Sequence, residues 1–271
     1  MSLRFARERL SIARQEPPWK VVRAFPLPQG GKLVHLHNVS GGVLAGDRLA
    51  LDVTVDAAAV AQITTTGATR LYRHRDGAAE SEQLASFDVG DGALLEYLPD
   101  QVIPYAASRH YQRTQFRLGD GSTLFWWEVL APGRYAAGEA FAFERLHVQS
   151  DIHAAGRPIL CEDYVLDPAR RNLDAAIRMS AYSHLASFYA VQTGRPAAFW
   201  QDLEGRLGAM AHERTSPGQA VWGASTLAAD GMVVRGLALG GRTLHPALVE
   251  FWRAARLAIT GVDAAPPRKI Y

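Results

Sequence analysis

The amino-acid sequence predicts an all-β fold with many strands and two α-helices near the C-terminal end. Apolar Leu51, Val53 and Val55 alternate with polar residues, which is the period-two pattern of a strand with one buried face. Gly-Asp-Gly turns at 90–92 and 119–121 each separate two strand-like segments. A helical period of apolar residues begins only after residue 195. Together these observations indicate a β architecture that is followed by helices.

The two Gly-Asp-Gly turns predict β-hairpins that follow one another along the chain. The first turn would join strands 84–89 and 93–98, and the second would join strands 111–118 and 122–130. In both pairs the second strand carries a glutamate, Glu96 or Glu128, shortly before a proline. The repetition predicts stacked hairpins, in which each layer covers the apolar face of the layer before it.

The C-terminal part combines a further hairpin with both helices. Strand patterns at 221–228 and 232–239 flank an Asp-Gly turn. Pro196 is expected to open the first helix, whose apolar face comprises Phe199, Trp200, Leu203, Leu207 and Met210. Pro246 is expected to open the second helix, whose apolar stripe comprises Leu248, Phe251, Trp252, Ala255 and Ile259. Gly261 stands where a C-terminal cap belongs.

Composition excludes several classes of function. The 271 residues carry a formal net charge of +2, which is far from the concentrated basic surface that binds nucleic acid. Cys161 is the only cysteine, so no internal disulfide can form, in agreement with a reducing compartment. The first fifteen residues lack the apolar core of a signal peptide, and no later run is long enough to span a bilayer. We therefore expect a soluble cytoplasmic protein without nucleic-acid or membrane partners.

Two glycine-containing loops organise the N-terminal half. The loop SGGVLAGD at 40–47 precedes a predicted strand, and the loop TTTGATRLYR at 64–73 comes after that strand. The first loop does not match a phosphate-binding loop, because such a loop opens a helix rather than a strand. The second loop is expected to send Arg70, Tyr72 and Arg73 outward. A hairpin with a solvated end is the simpler interpretation of both loops.

A metal-dependent hydrolase is the alternative from a different functional class. The predicted strand 32–38 places His35 and His37 on one face, where they would act together with a carboxylate. Two imidazoles alone leave a metal site incomplete, and an ordinary polar strand face is the favoured explanation of them. The sequence contains neither a nucleophile elbow nor a His-Glu-x-x-His helix. These observations favour a protein that is not an enzyme.

Carboxylates in apolar surroundings raise a separate question. Glu96 lies in LLEYLP and Glu128 lies in LFWWEVL. An outward carboxylate is simply solvated, whereas an inward one needs hydrogen bonds, a cation or a metal ion. In the loop APGRYAAGEAF, Arg134 and Glu139 are expected to pair with each other.

Five motifs in order resemble the signatures of the urease accessory proteins called UreD, or UreH in some lineages. They are SGGVLAGDRL, TTTGATRLYR, LEYLPDQVIPYAASRHYQ, WEVLAPGRYAAGEAF and the terminal PPRKIY. The family often has tryptophan where Tyr97 stands, and Lys269 is an insertion in the closing motif. The resemblance covers most of the chain, and 171–214 carries little of it.

The resemblance implies a single domain over 1–271, wound as an elongated superhelical stack of β-hairpins with two C-terminal helices. It also implies a non-catalytic scaffold that binds apo-urease and recruits the F-type accessory protein and the G-type GTPase. Such a scaffold would hold no tightly bound cofactor, and Ni²⁺ would pass through it transiently.

The chemistry of the residues and the family resemblance together give the candidate site residues. Transient Ni²⁺ ligands are expected at Asp47, Glu96, Glu128 and Glu139. Partner binding is expected at Arg70, Tyr72, Trp252, Arg253, Arg256, Arg268 and Tyr271, since aromatic and arginine residues commonly anchor interfaces.

Overall fold

The computed structural model describes residues 1–75, 77–173, 175 and 178–267, and the fold in that part is mainly β. The all-β expectation with two C-terminal helices is confirmed. The strands are β1 (Ser2–Ala6), β2 (Arg9–Arg14), β3 (Trp19–Lys20), β4 (Ala24–Pro26), β5 (Lys32–Asn38), β6 (Arg48–Val55), β7 (Val60–Thr65), β8 (Thr69–Leu71), β9 (Ser81–Val89), β10 (Leu94–Leu98), β11 (Val102–Pro104), β12 (Arg109–Leu118), β13 (Thr123–Leu130), β14 (Arg145–Ala154), β15 (Arg157–Leu166), β16 (His184–Gln192), β17 (Ala220–Thr226) and β18 (Gly231–Ala238). The helices are α1 (Ala197–Arg214) and α2 (Gly241–Thr260).

The strands form two sheets, and the middle of the chain alternates between them. The smaller sheet has the order β15-β14-β12-β9-β6-β1-β2, and the main path of the larger has the order β17-β18-β16-β13-β10-β7-β5-β3. In the smaller sheet β6, β9, β12 and β14 are parallel neighbours, and in the larger sheet β5, β7, β10 and β13 are. Each successive coil of the chain therefore adds one strand to each sheet.

The predicted hairpins at the two Gly-Asp-Gly turns are wrong. Strand β9 belongs to the smaller sheet and β10 to the larger, and the same holds for β12 and β13. The turns are corners between sheets, and each corner hydrogen-bonds to the next: the Gly92 amide donates to the Asp120 carbonyl at 2.8 Å. A Gly-Asp-Gly turn with a left-handed glycine suits a hairpin and a corner equally well, and the period-two pattern of its flanking strands does not distinguish them.

Other sequence expectations agree with the structure. The strand predicted at 32–38 is β5. In β6 every second residue, from Leu49 to Val55, is buried. Strands β17 and β18 pair antiparallel around the predicted Asp-Gly turn.

The helices cover the outer face of the larger sheet. Trp200, Leu203 and Leu207 of α1 are buried as predicted, and they pack in one apolar cluster with Phe125 and Trp127 of β13. Helix α2 begins at Gly241 rather than at Pro246, so the proline lies inside the helix. It ends as predicted at Gly261, which has the left-handed φ of 73°. In the described residues neither helix is both long and apolar enough to cross a membrane.

Candidate functional site

The two glutamates that the sequence singled out lie on opposite faces of the larger sheet. In the parallel register, Glu96 of β10 aligns with Phe125 and Tyr97 aligns with Trp126. Trp126 and Tyr97 belong to the core between the two sheets, whereas Phe125 belongs to the core beneath the helices. Alternation then directs Glu128 toward the inter-sheet space and Glu96 toward the helices. The two carboxylates cannot line one passage.

Glu96 is the acceptor at the centre of a buried polar cluster. Its Oε1 accepts hydrogen bonds from Arg256 Nε at 2.8 Å and Trp252 Nε1 at 3.1 Å. Its Oε2 accepts one from Gln62 Nε2 at 2.6 Å. Burial raises the pKa of Glu96, and the Arg256 guanidinium opposes that rise. Three donors occupy this carboxylate, which forms an internal ion pair with Arg256.

The cluster also corrects the predicted partner-binding surface on α2. Trp252 is fully buried and Arg256 is 4% exposed, so neither side chain offers an anchor to a partner. Arg253 is exposed, and its guanidinium pairs with Asp263 at 2.8 Å. Arg268 and Tyr271 lie outside the described residues.

Glu128 lies in a small cavity between the sheets, which we call the inner chamber. The chamber has a volume of about 50 Å³, and its walls include Gln83, Asp100, Gln112 and Thr114. Gln112 Nε2 donates to Glu128 Oε1 at 3.1 Å. Burial raises the pKa of Glu128 to about 8, and the hydrogen bond from Gln112 opposes that rise only in part.

The walls of the inner chamber carry polar atoms whose hydrogen-bonding capacity is unmet. Trp19 Nε1, Gln83 Oε1 and Trp126 Nε1 are buried and have no hydrogen-bond partner among the described residues. All three residues line the chamber. Buried polar atoms of this kind are commonly satisfied by water, and a volume of about 50 Å³ accommodates water. The chamber is therefore a water-sized space in which a few polar groups stand in a mainly apolar wall.

The inner chamber adjoins two larger cavities that open toward the surface. The first, of about 190 Å³, is bounded by both glycine loops and shares Trp19, Thr65 and Thr69 with the chamber; we call it the glycine-loop mouth. The second, of about 890 Å³, lies at the start of α2 and shares Pro99, Asp100 and Val129; we call it the helix mouth. The inner chamber thus shares wall residues with both mouths, and we call the three cavities together the inter-sheet passage.

The two glycine loops form the rim of the first mouth by pairing with each other. The Val43 amide donates to the Arg70 carbonyl at 2.8 Å, and the Tyr72 amide donates to the Val43 carbonyl at 2.9 Å. The Arg70 guanidinium also donates to the Gly41 carbonyl at 3.2 Å. Arg70 and Arg73 remain exposed, and Tyr72 is half-buried. Of these three predicted outward donors, Arg70 lines the glycine-loop mouth.

Two further predicted ligands stand apart from the passage. Asp47 Oδ2 accepts a hydrogen bond from the Leu44 amide at 2.8 Å, which makes it a turn residue. Glu139 pairs with Arg134, as predicted, at 2.9 Å from the guanidinium Nε. In the part of the chain that the structure describes, neither residue is among those lining the three cavities.

The structure gives the hydrolase alternative no support. Among the described residues, no group of three or more histidine, cysteine, aspartate or glutamate side chains is arranged to hold a metal ion. His35 instead lies beside the Phe25 ring, with the ring centroids 5.7 Å apart.

Sequence reasoning missed most of the chamber wall. Gln83, Gln112 and Asp100 come from different coils, and no spacing along the chain connects them. Thr65 and Asp100 are linked across coils, because Thr65 Oγ1 donates to Asp100 Oδ2 at 3.0 Å. The motif DQV after LEYLP was the one available signal, since it places Asp100 just past the end of β10.

Gly42 is required where the two loops meet. A Cβ on Gly42 would lie 2.4 Å from the Tyr72 ring and 2.7 Å from the Arg70 carbonyl oxygen. We expect Gly42→Ala to lower the free energy of unfolding by about 1–3 kcal/mol, because the rim must move to make room. Urea denaturation followed by circular dichroism measures the change.

Gly67→Ala is the matched control for the rim. Gly67 belongs to the same mouth, but a Cβ there has nothing within 4 Å. We expect this variant to change stability by less than about 0.5 kcal/mol. Equal losses in the two variants would contradict close packing at Gly42.

Taken as a whole, the fold and the site define a coiled two-sheet β protein whose buried polar groups line a passage. Comparison with known proteins gives the family. The family described as UreD urease accessory protein matches residues 1–270, and the chain belongs to this family. The chain is 43% identical to the urease accessory protein UreD of Herpetosiphon aurantiacus, over 100% of this chain and 94% of that protein. It is 32% identical to the UreD of Staphylococcus aureus strain JH9, over 65% of this chain and 63% of that protein.

Proposed function

We propose that this protein is a cytoplasmic scaffold for nickel insertion into urease. In this role it binds apo-urease and recruits the F-type accessory protein and the G-type GTPase, and Ni²⁺ crosses it through the inter-sheet passage. The observation that carries the transit step is a carboxyl group, Glu128, in a chamber between the sheets that shares wall residues with two larger, more open cavities. Membership of the UreD family supports the role of an accessory protein.

The chemistry of the passage suits transit better than storage. Stripping water from a divalent ion costs several kcal/mol or more, so a conduit must keep part of the hydration shell and add weak ligands in series. Glu128, Asp100 and the amide oxygens of the chamber wall supply oxygen donors of this kind. Cys161, which would bind Ni²⁺ strongly as a thiolate, is exposed on β15 and does not line the chamber.

The exposed side chains among the predicted partner-binding residues indicate where partners would dock. Arg70 and Tyr72 at the glycine-loop mouth, together with Arg253 on α2, are the predicted partner-binding residues that retain surface contact in the described chain. A partner seated at either mouth would extend the passage into its own surface. We assign docking to the glycine-loop mouth and to the exposed face of α2 around Arg253.

Glu128→Gln tests the transit step directly. The amide keeps the shape of the side chain and removes the carboxyl group, which is mostly protonated at pH 7 but can release its proton when a cation binds. We expect the variant to fold and to assemble with urease and the other accessory proteins at pH 7, yet to yield urease with several-fold less nickel. Metal analysis of purified urease, alongside pull-down of the complex from the same preparation, measures both quantities.

Glu139→Gln is the matched control, because this carboxylate pairs with Arg134 outside the passage. We expect its nickel loading to match that of the unaltered protein. Normal nickel content in urease matured with Glu128→Gln would overturn the conduit, while loss of complex formation in that variant would show that it acts on assembly instead.

A further inference from the structure

Trp19 is the largest of the three described residues that line both the glycine-loop mouth and the inner chamber. Trp19 lines both cavities, and its side chain is buried, with the residue 5% exposed. Thr65 and Thr69 line both cavities as well, but their side chains are much smaller. The size of the opening between mouth and chamber therefore depends chiefly on the position of the Trp19 ring.

Trp19 is held by a short element at the edge of the larger sheet. Strand β3 has two residues, and it pairs only with β5, through Trp19 with Asn38 and Lys20 with His37, in the described part of the fold. The Val39 amide adds one more hydrogen bond, to the Pro18 carbonyl at 2.9 Å. Edge elements with few hydrogen bonds open at lower free energy than the centre of a sheet.

The indole N–H of Trp19 is also available to donate a hydrogen bond. Nε1 of Trp19 is buried and has no acceptor among the residues that the structure describes. A buried tryptophan usually donates this hydrogen bond to a protein acceptor. Because Trp19 lines a water-sized space, its indole N–H can instead donate to a water molecule.

We propose that Trp19 is the gate of the inter-sheet passage: its indole separates the glycine-loop mouth from the chamber that holds Glu128, and movement of β3 opens the way for a small hydrated divalent cation. The purpose of the gate rests on the proposed nickel transit. The existence of the gate does not rest on nickel transit, because the gate can be detected from the access of water to the chamber.

Trp126 provides a reporter inside the chamber. Its side chain is fully buried, its ring stacks on Tyr189 at 4.6 Å, and its Nε1 has no acceptor in the described part of the chain. Exchange of its indole N–H with deuterium therefore reports how readily water enters. Two other indoles serve as internal controls, because Trp127 donates to the Pro99 carbonyl and Trp252 donates to Glu96.

The experiment compares indole N–H exchange by NMR in the unaltered protein, in Trp19→Ala and in Trp19→Phe, without urease or nickel. We expect Trp19→Ala to accelerate exchange at Trp126 by at least about tenfold, while Trp127 and Trp252 stay within about twofold. Trp19→Phe keeps a ring in the gap, so exchange at Trp126 should remain within about threefold of the unaltered rate. Trp19→Val replaces Trp19→Ala if the alanine variant is insoluble.

Two results would overturn the gate. The first is an unchanged rate at Trp126 in the alanine or valine variant, which would mean that water reaches the chamber through the helix mouth. The second is equal acceleration of all three indoles, which would mean that Trp19 only stabilises the fold. Failure of nickel loading to respond to Glu128→Gln would reject the conduit and leave the gate intact, so the two failures are distinguishable.

Discussion

Arg256→Met is expected to lower the free energy of unfolding by about 3–5 kcal/mol, because it leaves the Glu96 carboxylate buried without its cation. Both side chains are almost completely buried, with side-chain exposures of 5% for Arg256 and 2% for Glu96. The variant also loses the hydrogen bonds from Arg256 to the carbonyls of Val262 and Asp263, each 2.7 Å long. Urea denaturation at pH 7 measures the loss.

Two further variants show whether the loss of stability in Arg256→Met comes from the buried ion pair. In Glu96→Gln/Arg256→Met both charges are removed, so we expect the double variant to recover a large part of the stability that Arg256→Met loses. Arg253→Met removes an exposed arginine one turn earlier, whose partner is Asp263, and should cost much less stability than Arg256→Met. Similar losses in Arg253→Met and Arg256→Met would contradict a special role for the buried pair.

Glu128→Gln is expected to change how stability depends on pH. The pKa of Glu128 is about 8 in the folded protein, against an ordinary value of 4.5. Between these two values the folded state holds a proton that the unfolded state has released, so the stability contributed by Glu128 falls as pH rises from about 4.5 to about 8. The glutamine variant lacks this titration. We expect it to gain about 3–4 kcal/mol relative to the unaltered protein between pH 5 and pH 9.

Glu139→Gln is the control for this prediction, and its stability is measured over the same pH range. Hydrogen bonding to Arg134 lowers the pKa of Glu139, so its removal should produce no relative gain in stability between pH 5 and pH 9. A flat difference between Glu128→Gln and the unaltered protein over this range would show that the Glu128 carboxyl is not held neutral by burial.

The fold class was accessible from the sequence because alternation and turn residues are local signals. Strand β5 and the buried positions of β6 follow directly from period-two patterns. Whether a Gly-Asp-Gly turn closes a hairpin or passes to a second sheet depends on which strand lies alongside, and that partner is about one coil away in sequence. The local strand propensity of a segment does not indicate which strand will lie beside it.

The candidate site was accessible only in part, for the same reason. The sequence identified Glu96 and Glu128 as unusual, but the choice between their two faces depends on register with strands from other coils. Trp252 was both in the predicted apolar stripe and among the predicted docking residues, and the stripe was the better guide. Arg256 lies four residues later on the same helical face, which is a signal that it too points inward.

The hydrogen-bonded corners between the sheets also constrain how chain length can vary. The Gly90 amide bonds the Val55 carbonyl and the Gly119 amide bonds the Val89 carbonyl, both at 2.8 Å, so each corner is templated by the one before it. An inserted residue in one corner would displace the glycines of the next, where a Cβ at Gly90 would already lie 2.8 Å from the Ala57 nitrogen. Insertions and deletions among related chains should therefore be rarer in these corners than in the connections at the opposite end of the coils.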